Sequence, residues 1–127
     1  MKKAVGYIRE GTKKDEDRQR KAVVSYCNGN EMEIVDWLKY DSFDKAAYGN
    51  WMGRRKIDAV VAASNTDVTD NVFEFYAFRC KLQMRNSNLV VAYWSGYPGY
   101  SLHQKILEEF IGVLVRKEFE NEPVREK

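Results

Sequence analysis

The sequence predicts an α/β domain in three layers, with helices on both faces of a mostly parallel sheet of four or five strands. Apolar runs of strand length alternate with helix-like stretches along the chain, and that order implies parallel strands joined by crossovers. Two of the runs, "KIDAVVAAS" (56–64) and "SNLVVAYWS" (87–95), lack polar alternation, which is the pattern of strands covered on both faces. The 127 residues suit a single domain, 1–127, around one core.

Each element follows from local pattern. "KKAVGYIR" (2–9) is short and apolar and reads as the first strand. "DEDRQRKAVVSYC" (15–27) reads as a helix, with Ala22, Val23 and Tyr26 as a narrow stripe under a charged remainder. "NGN" (28–30) ends it, and Gly29 suits a left-handed cap. "EMEIVDWLKY" (31–40) alternates at Met32, Ile34 and Trp37–Leu38, as a second strand would. Residues 41–55 are polar and glycine-punctuated, with room for one short helix near 45–52. Residues 56–64 read as the central third strand. "TDNVFEFYAFRCKLQMR" (69–85) reads as a helix with Thr69 at its N-cap and Val72, Phe75, Tyr76, Arg79 and Leu82 near one face. Residues 87–95 give a fourth buried strand, and "GYPGY" (96–100) a turn.

The last helix is expected over about 101–119. Ser101 and Gln104 stand at capping-box spacing. Leu102, Ile106, Phe110 and Leu114 form one row, and Leu107, Ile111 and Val115 an adjacent one. Two rows exceed what a helix needs to cover a sheet. A C2 homodimer through this helix is the preferred reading; burial of both rows within one molecule is the alternative. The charged tail, 120–127, is expected to fray.

Composition narrows the function classes. No apolar run approaches the roughly 20 residues that span a bilayer. In "MKKAVGYIRE" the charges of Arg9 and Glu10 follow too soon for a signal-peptide core, so a cytoplasmic protein is expected. Cys27 and Cys80 lack metal-ligand spacing and His103 is the single histidine, so neither metal nor cofactor is expected. The thiols should be reduced and partly buried.

The net charge of +2 neither demands nor excludes nucleic acid. The cations do cluster, and they are the candidate phosphate contacts. Lys13, Lys14, Arg18, Arg20 and Lys21 lie in "KKDEDRQRK", Arg54 and Arg55 in "GRRK", and Arg116 and Lys117 in "VRK". Acidic residues interleave with the first cluster, which also suits a solvated helix face.

The element order, together with "AVGYIREGT", "QRKAVVSYC", "MEIVDW" and "KIDAVVAAS", resembles the catalytic domain of serine recombinases, the resolvases and invertases. The likeness runs from about residue 2 to 116 and implies a resolvase catalytic-domain-like fold. Family members begin with a strand ending Tyr-x-Arg-Val-Ser-Thr. Here Tyr7, Arg9 and Thr12 match, and Gly11 stands at the serine position. In the family that hydroxyl attacks a DNA phosphodiester, a reaction that needs a nucleophile and cations around the phosphate. Gly11 supplies no nucleophile.

A second family signature, Asp-Arg-Leu-x-Arg, clamps the phosphate after the third strand. In register with it, Thr66 holds the Asp position, and Asp67 and Asp70 hold the two Arg positions. Carboxylates there would repel the phosphate that arginine forks bind. A third signature, a Ser-Gly pair followed by Arg, is missing from "DSFDKAAYGNWMG" (41–53). Gln19 matches a family glutamine, although a helix-surface glutamine is the plainer reading.

Three other readings concern single residues. Gly11 also suits a turn residue with positive φ, or a phosphate-cradling loop, for which one glycine is thin support. Arg9 could contact an anion or pair with Asp67 or Asp70; pairing is preferred. Ser42 and Ser64 lie near loop ends without a recognisable base.

The resemblance implies a degenerate, non-catalytic recombinase-like domain related to site-specific recombination in a mobile element. It would act as a homodimer, or as a heterodimer with an intact serine recombinase. The expected chain carries no separate DNA-binding domain after the long helix. A non-specific DNA-binding module and an enzyme with a replaced active site are the two rivals.

Overall fold

A computed structural model describes residues 1–41, 56–95 and 112–116. The elements are β1 (Lys2–Arg9), α1 (Lys13–Gly29), β2 (Met32–Tyr40), β3 (Ala59–Ser64), α2 (Asn65–Val68), α3 (Val72–Met84) and β4 (Asn88–Tyr93), and residues 112–116 are helical. Among the described residues the sheet has four strands in the order β2-β1-β3-β4, every neighbouring pair parallel. The expected short helix near 45–52, the turn at 96–100 and most of the long last helix lie outside the described residues.

Alternation along β1 and β3 divides the core in two. Ala4, Ala59 and Val61 turn to one face, where Val23 and Cys27 of α1 cover them. Val5, Tyr7, Val60 and Ala62 turn to the other, against Phe75, Tyr76, Phe78 and Leu82 of α3 and Val115. This is the three-layer arrangement the sequence predicts. β3 is buried at all six positions, as its unbroken apolar run requires. β4 is an edge strand in the order, and three of its six residues are only half-buried. Its apolar run suggested fuller cover.

Two local features shape the α1 side. The β1–β2 register shifts between Ala4 and Val5, where Ile34 and Asp36 are successive partners. Val35 is therefore the extra residue of a bulge, and this explains why the alternation in β2 slips between Ile34 and Trp37. The Trp37 ring lies over Gly6, where an added Cβ would sit 2.3 Å from the ring. Only a residue without a side chain fits there. Arg20 covers the same ring at 5.1 Å, a cation–π contact.

Helix ends differ from expectation in three places. Asn71, not Thr69, caps α3, its Oδ1 accepting from Phe73 N and Glu74 N. Thr69 instead closes α2. After α1 the left-handed residue is Glu31, with φ 55°, and Gly29 is the last helical residue. The buried row of α1 is Gln19, Val23 and Cys27, with Ala22 and Tyr26 at its flanks.

Among the described residues no helix is long and apolar enough to cross a membrane. Cys27 is buried and Cys80 half-buried.

Candidate functional site

In this topology α1 leaves β1 toward one face and α3 follows β3 toward the other. The carboxyl ends of β1 and β3 therefore flank the crevice where ligands bind in such sheets. Arg9, Gly11, Thr12, Gln19, Thr66 and Asp67 gather there.

Thr12 starts α1. Its Oγ1 accepts from Asp15 N at 3.2 Å, which makes it a helix cap. Gly11 precedes it and donates its N–H to Glu16 Oε2 at 3.1 Å. Gly11 is not in the left-handed region, so the backbone does not require glycine here. A Cβ would lie 3.1 Å from Asp15 Oδ2. The Gly11 N–H, and then Lys39, hold the Glu16 carboxyl below its usual range.

Gln19 is fully buried, not a surface residue. Its amide clamps the end of β1 from both sides. Arg9 N donates to Oε1 at 2.8 Å, and Nε2 donates to Arg9 O at 3.0 Å and to Asp15 Oδ2 at 2.9 Å. Without it the backbone N–H and C=O of Arg9 would lose these partners at the end of β1.

Ser64 and Asp67 build the other wall. "SNTD" has capping-box spacing, and the contacts are reciprocal. Asp67 N donates to Ser64 Oγ at 3.3 Å, and Ser64 Oγ donates to Asp67 Oδ2 at 2.8 Å. Ser64 spends its one proton on Asp67, so the Thr66 hydroxyl, 3.0 Å away, supplies the proton of their mutual bond. Ser64 is thereby buried and engaged as a helix cap.

Arg18 bridges the two walls. Its Nη2 donates to Asp67 Oδ1 at 2.8 Å and to Asp15 Oδ1 at 2.9 Å. Nε also reaches Asp15 Oδ1 at 3.1 Å, Nη1 reaches Asp67 Oδ2 at 3.5 Å, and Nη1 donates to the Tyr93 hydroxyl. These carboxylates raise the affinity of Arg18 for its proton, Asp67 foremost. In return, the hydrogen bond from Arg18 is the main cause that holds the Asp15 carboxyl below its usual range.

Arg9 does not pair with Asp67 or Asp70. Its Nη1 donates to the Thr66 carbonyl at 3.3 Å, and Arg18, nine residues on, takes the Asp67 partner instead. The reason is reach: α1 carries Arg18 directly over α2, with Asp15 one turn back to steady it. Asp70 is exposed in the link between α2 and α3. Tyr7 is 2% exposed and belongs to the core, its ring 6.3 Å from that of Tyr40. Burial, reinforced by Tyr40, pushes its hydroxyl up to about 12.

The cationic candidates separate. Lys13, Lys14 and Lys21 are exposed on the outer face of α1 and, with Asp17 and Arg18, line a shallow depression. Arg20 is half-buried over Trp37, and Arg116 is exposed. Arg54, Arg55 and Lys117 lie outside the described residues. So do Leu102, Ile106, Leu107, Phe110 and Ile111 of the predicted association rows. Leu114 is 49% exposed and Val115 is 6% exposed.

Asp15, Tyr93 and Asn65 are members of the cluster that the sequence reading missed. Asn65 Nδ2 donates to Ser95 O at 2.6 Å and Ser95 N donates to Asn65 Oδ1 at 2.7 Å, which ties the end of β4 to α2. Two signals were present: the i,i+3 and i,i+4 spacing of Asp15 to Arg18 and Gln19, and the capping-box pattern at 64–67. Nothing local marks Tyr93. Among the described residues no group of His, Cys, Asp and Glu could hold a metal ion.

No protein-family model matches the sequence, and no curated protein sequence matches it. Solved structures do match. The N-terminal catalytic domain of TP901-1 integrase superposes with a TM-score of 0.63 at 13% identity, covering 96% of this chain and 100% of that one. A resolvase family site-specific recombinase from Streptococcus pneumoniae gives 0.61 at 16% identity, covering 95% and 90%. The C-terminal catalytic domain of ISC1926 TnpA, an IS607-like serine recombinase, gives 0.59 at 19% identity, covering 94% and 99%.

The fold is that of serine recombinase catalytic domains. Within that fold, the crevice of this chain holds a glycine where the resemblance places the serine, and a guanidinium tied to two carboxylates.

Proposed function

We propose that this chain is a serine-recombinase-like domain that does not cut DNA and works by association, modulating site-specific recombination. The partner is a second copy or an intact serine recombinase. The observation that carries this reading is the chemistry of the crevice. Gly11 has no hydroxyl, and Thr12 and Ser64 are engaged as helix caps. Of the two guanidiniums in the crevice, Arg18 already neutralises carboxylates of its own chain, while Arg9 donates to the Thr66 carbonyl. Phosphodiester attack needs a nucleophile and unspent positive charge around the phosphate. Gly11→Ser would restore a hydroxyl beside Asp15 and leave Arg18 still occupied.

Leu114 and Val113, both about half exposed on the last helix, support association. Light scattering after size-exclusion chromatography should give a dimer, and Leu114→Asp should shift it toward monomer. Mixing with an intact serine recombinase should lower that enzyme's strand exchange. A covalent adduct between this chain and supercoiled DNA would overturn the reading.

A second reading, a non-specific DNA-binding module, has one observation in its favour: the exposed Lys13, Lys14 and Lys21 on one helix face. Fluorescence anisotropy of a labelled duplex at about 50 and 200 mM salt separates the two. Binding that falls steeply with salt favours the module; no binding at either salt leaves the association reading in place.

A further inference from the structure

The Arg18 guanidinium has five N–H groups, and the structure gives each of them an acceptor within the chain. Two point to Asp15, two to Asp67 and one to Tyr93. The pairing is the fork geometry that arginine uses for phosphate oxyanions. It sits beside the sheet's switch point, where an anionic ligand would arrive.

The two partners differ in access. The Arg18 side chain is 42% exposed and that of Asp67 only 3%. Solvent can reach the cation while the anion that satisfies it is fixed from behind, with Ser64 Oγ donating to Asp67 Oδ2. On its solvent side Arg18 shares a depression with Lys13, Lys14, Lys21 and Asp17. Cations outnumber the one anion, Asp17, in that depression, and the carboxylates that hold Arg18 itself are those of Asp15 and Asp67.

We propose that Asp67 and Asp15 act as resident anions that hold Arg18 and close an oxyanion site at the switch point, an autoinhibitory contact built into the fold. The ligand class kept out is phosphate, free or in a phosphodiester backbone. The contact also fastens α1 to α2 and to the end of β4, 49 and 75 residues away along the chain. This deepens the reading of a crevice without cleavage chemistry and rests on it. The two fail separately, because the oligomer measurement reports the last helix and the titration below reports Arg18.

The test is inorganic phosphate titrated at low ionic strength into the wild type, Asp67→Asn, Asp15→Asn, and each of these combined with Arg18→Gln, followed by calorimetry. The wild type should show no saturable binding up to about 10 mM. Asp67→Asn should gain at least about tenfold in affinity, the size of one charge-assisted hydrogen bond. Asp15→Asn, made at a partly exposed helix position, should show a smaller gain, and it carries the test if Asp67→Asn does not fold. Arg18→Gln should erase the gain in either background. Equal binding by the wild type and both single variants overturns the proposal, as does a gain that survives Arg18→Gln.

Discussion

The two helices that sandwich the sheet are attached by different physics. α3 presses Phe75, Tyr76, Phe78 and Leu82 onto β1 and β3. α1 buries only Gln19, Val23 and Cys27, and its amino end is fixed by an amide clamp and an ion-pair cluster. One side is held by apolar area, which is insensitive to direction. The other is held by polar contacts that specify position to a few tenths of an ångström. The candidate site lies on the polar side, where a helix end can be aimed.

Three experiments can break or sharpen this contrast. The largest effect should come from Phe78→Ala, which empties part of the α3 interface. It should cost about 3–5 kcal/mol in chemical denaturation, against about 2 for Val23→Ala on the α1 side. Equal losses would mean that the two interfaces do not differ. Next, Gln19→Leu keeps the volume but leaves the N–H and C=O of Arg9 without partners. The expected cost is about 1–3 kcal/mol, with faster hydrogen exchange at the Arg9 amide and little change at residues of α3.

The smallest effects are those of pH, and they take opposite ends of the scale. Asp15 is held below its ordinary value of 3.8, chiefly by Arg18. Its contribution to stability is therefore full above that value and is lost as pH falls through the lower folded value. Arg18→Gln should flatten this acid slope. Tyr7, on the α3 side, is raised from 10.0 to about 12. Its contribution is full below 10.0 and declines as pH rises through about 12. Denaturation midpoints across both ranges, with Tyr7→Phe as the alkaline control, check each sign.

Most of the fold was legible because its signals are local. The six residues of β3 are an unbroken apolar run, and β1 was read to its last residue at Arg9. The errors arose where tertiary contacts overrode a local rule. Gln19 looks like a surface residue by type, and only the end of β1, ten residues earlier, gives it a reason to be buried. Asp67 and Asp70 look equivalent in sequence. One is buried against Arg18 and the other is exposed, because the short α2 turns the chain between them. The pairing of Arg18 with Tyr93 joins elements 75 residues apart, a relation that no local pattern encodes.

The central place of β1 has a consequence for the nascent chain. Within this sheet β1 is synthesised before its partners, yet one of its edges belongs to β3, whose register with it begins at Ala4 and Ala59, 55 residues apart. At about 5–20 residues per second, that edge waits several seconds for its partner. During the wait, "AVGYI" (4–8) offers an open apolar edge to any neighbouring chain. Release comes only when β3 emerges, and Arg18 finds its last acceptor later still, with Tyr93. The closing of that guanidinium therefore marks the joining of the last of the four described strands.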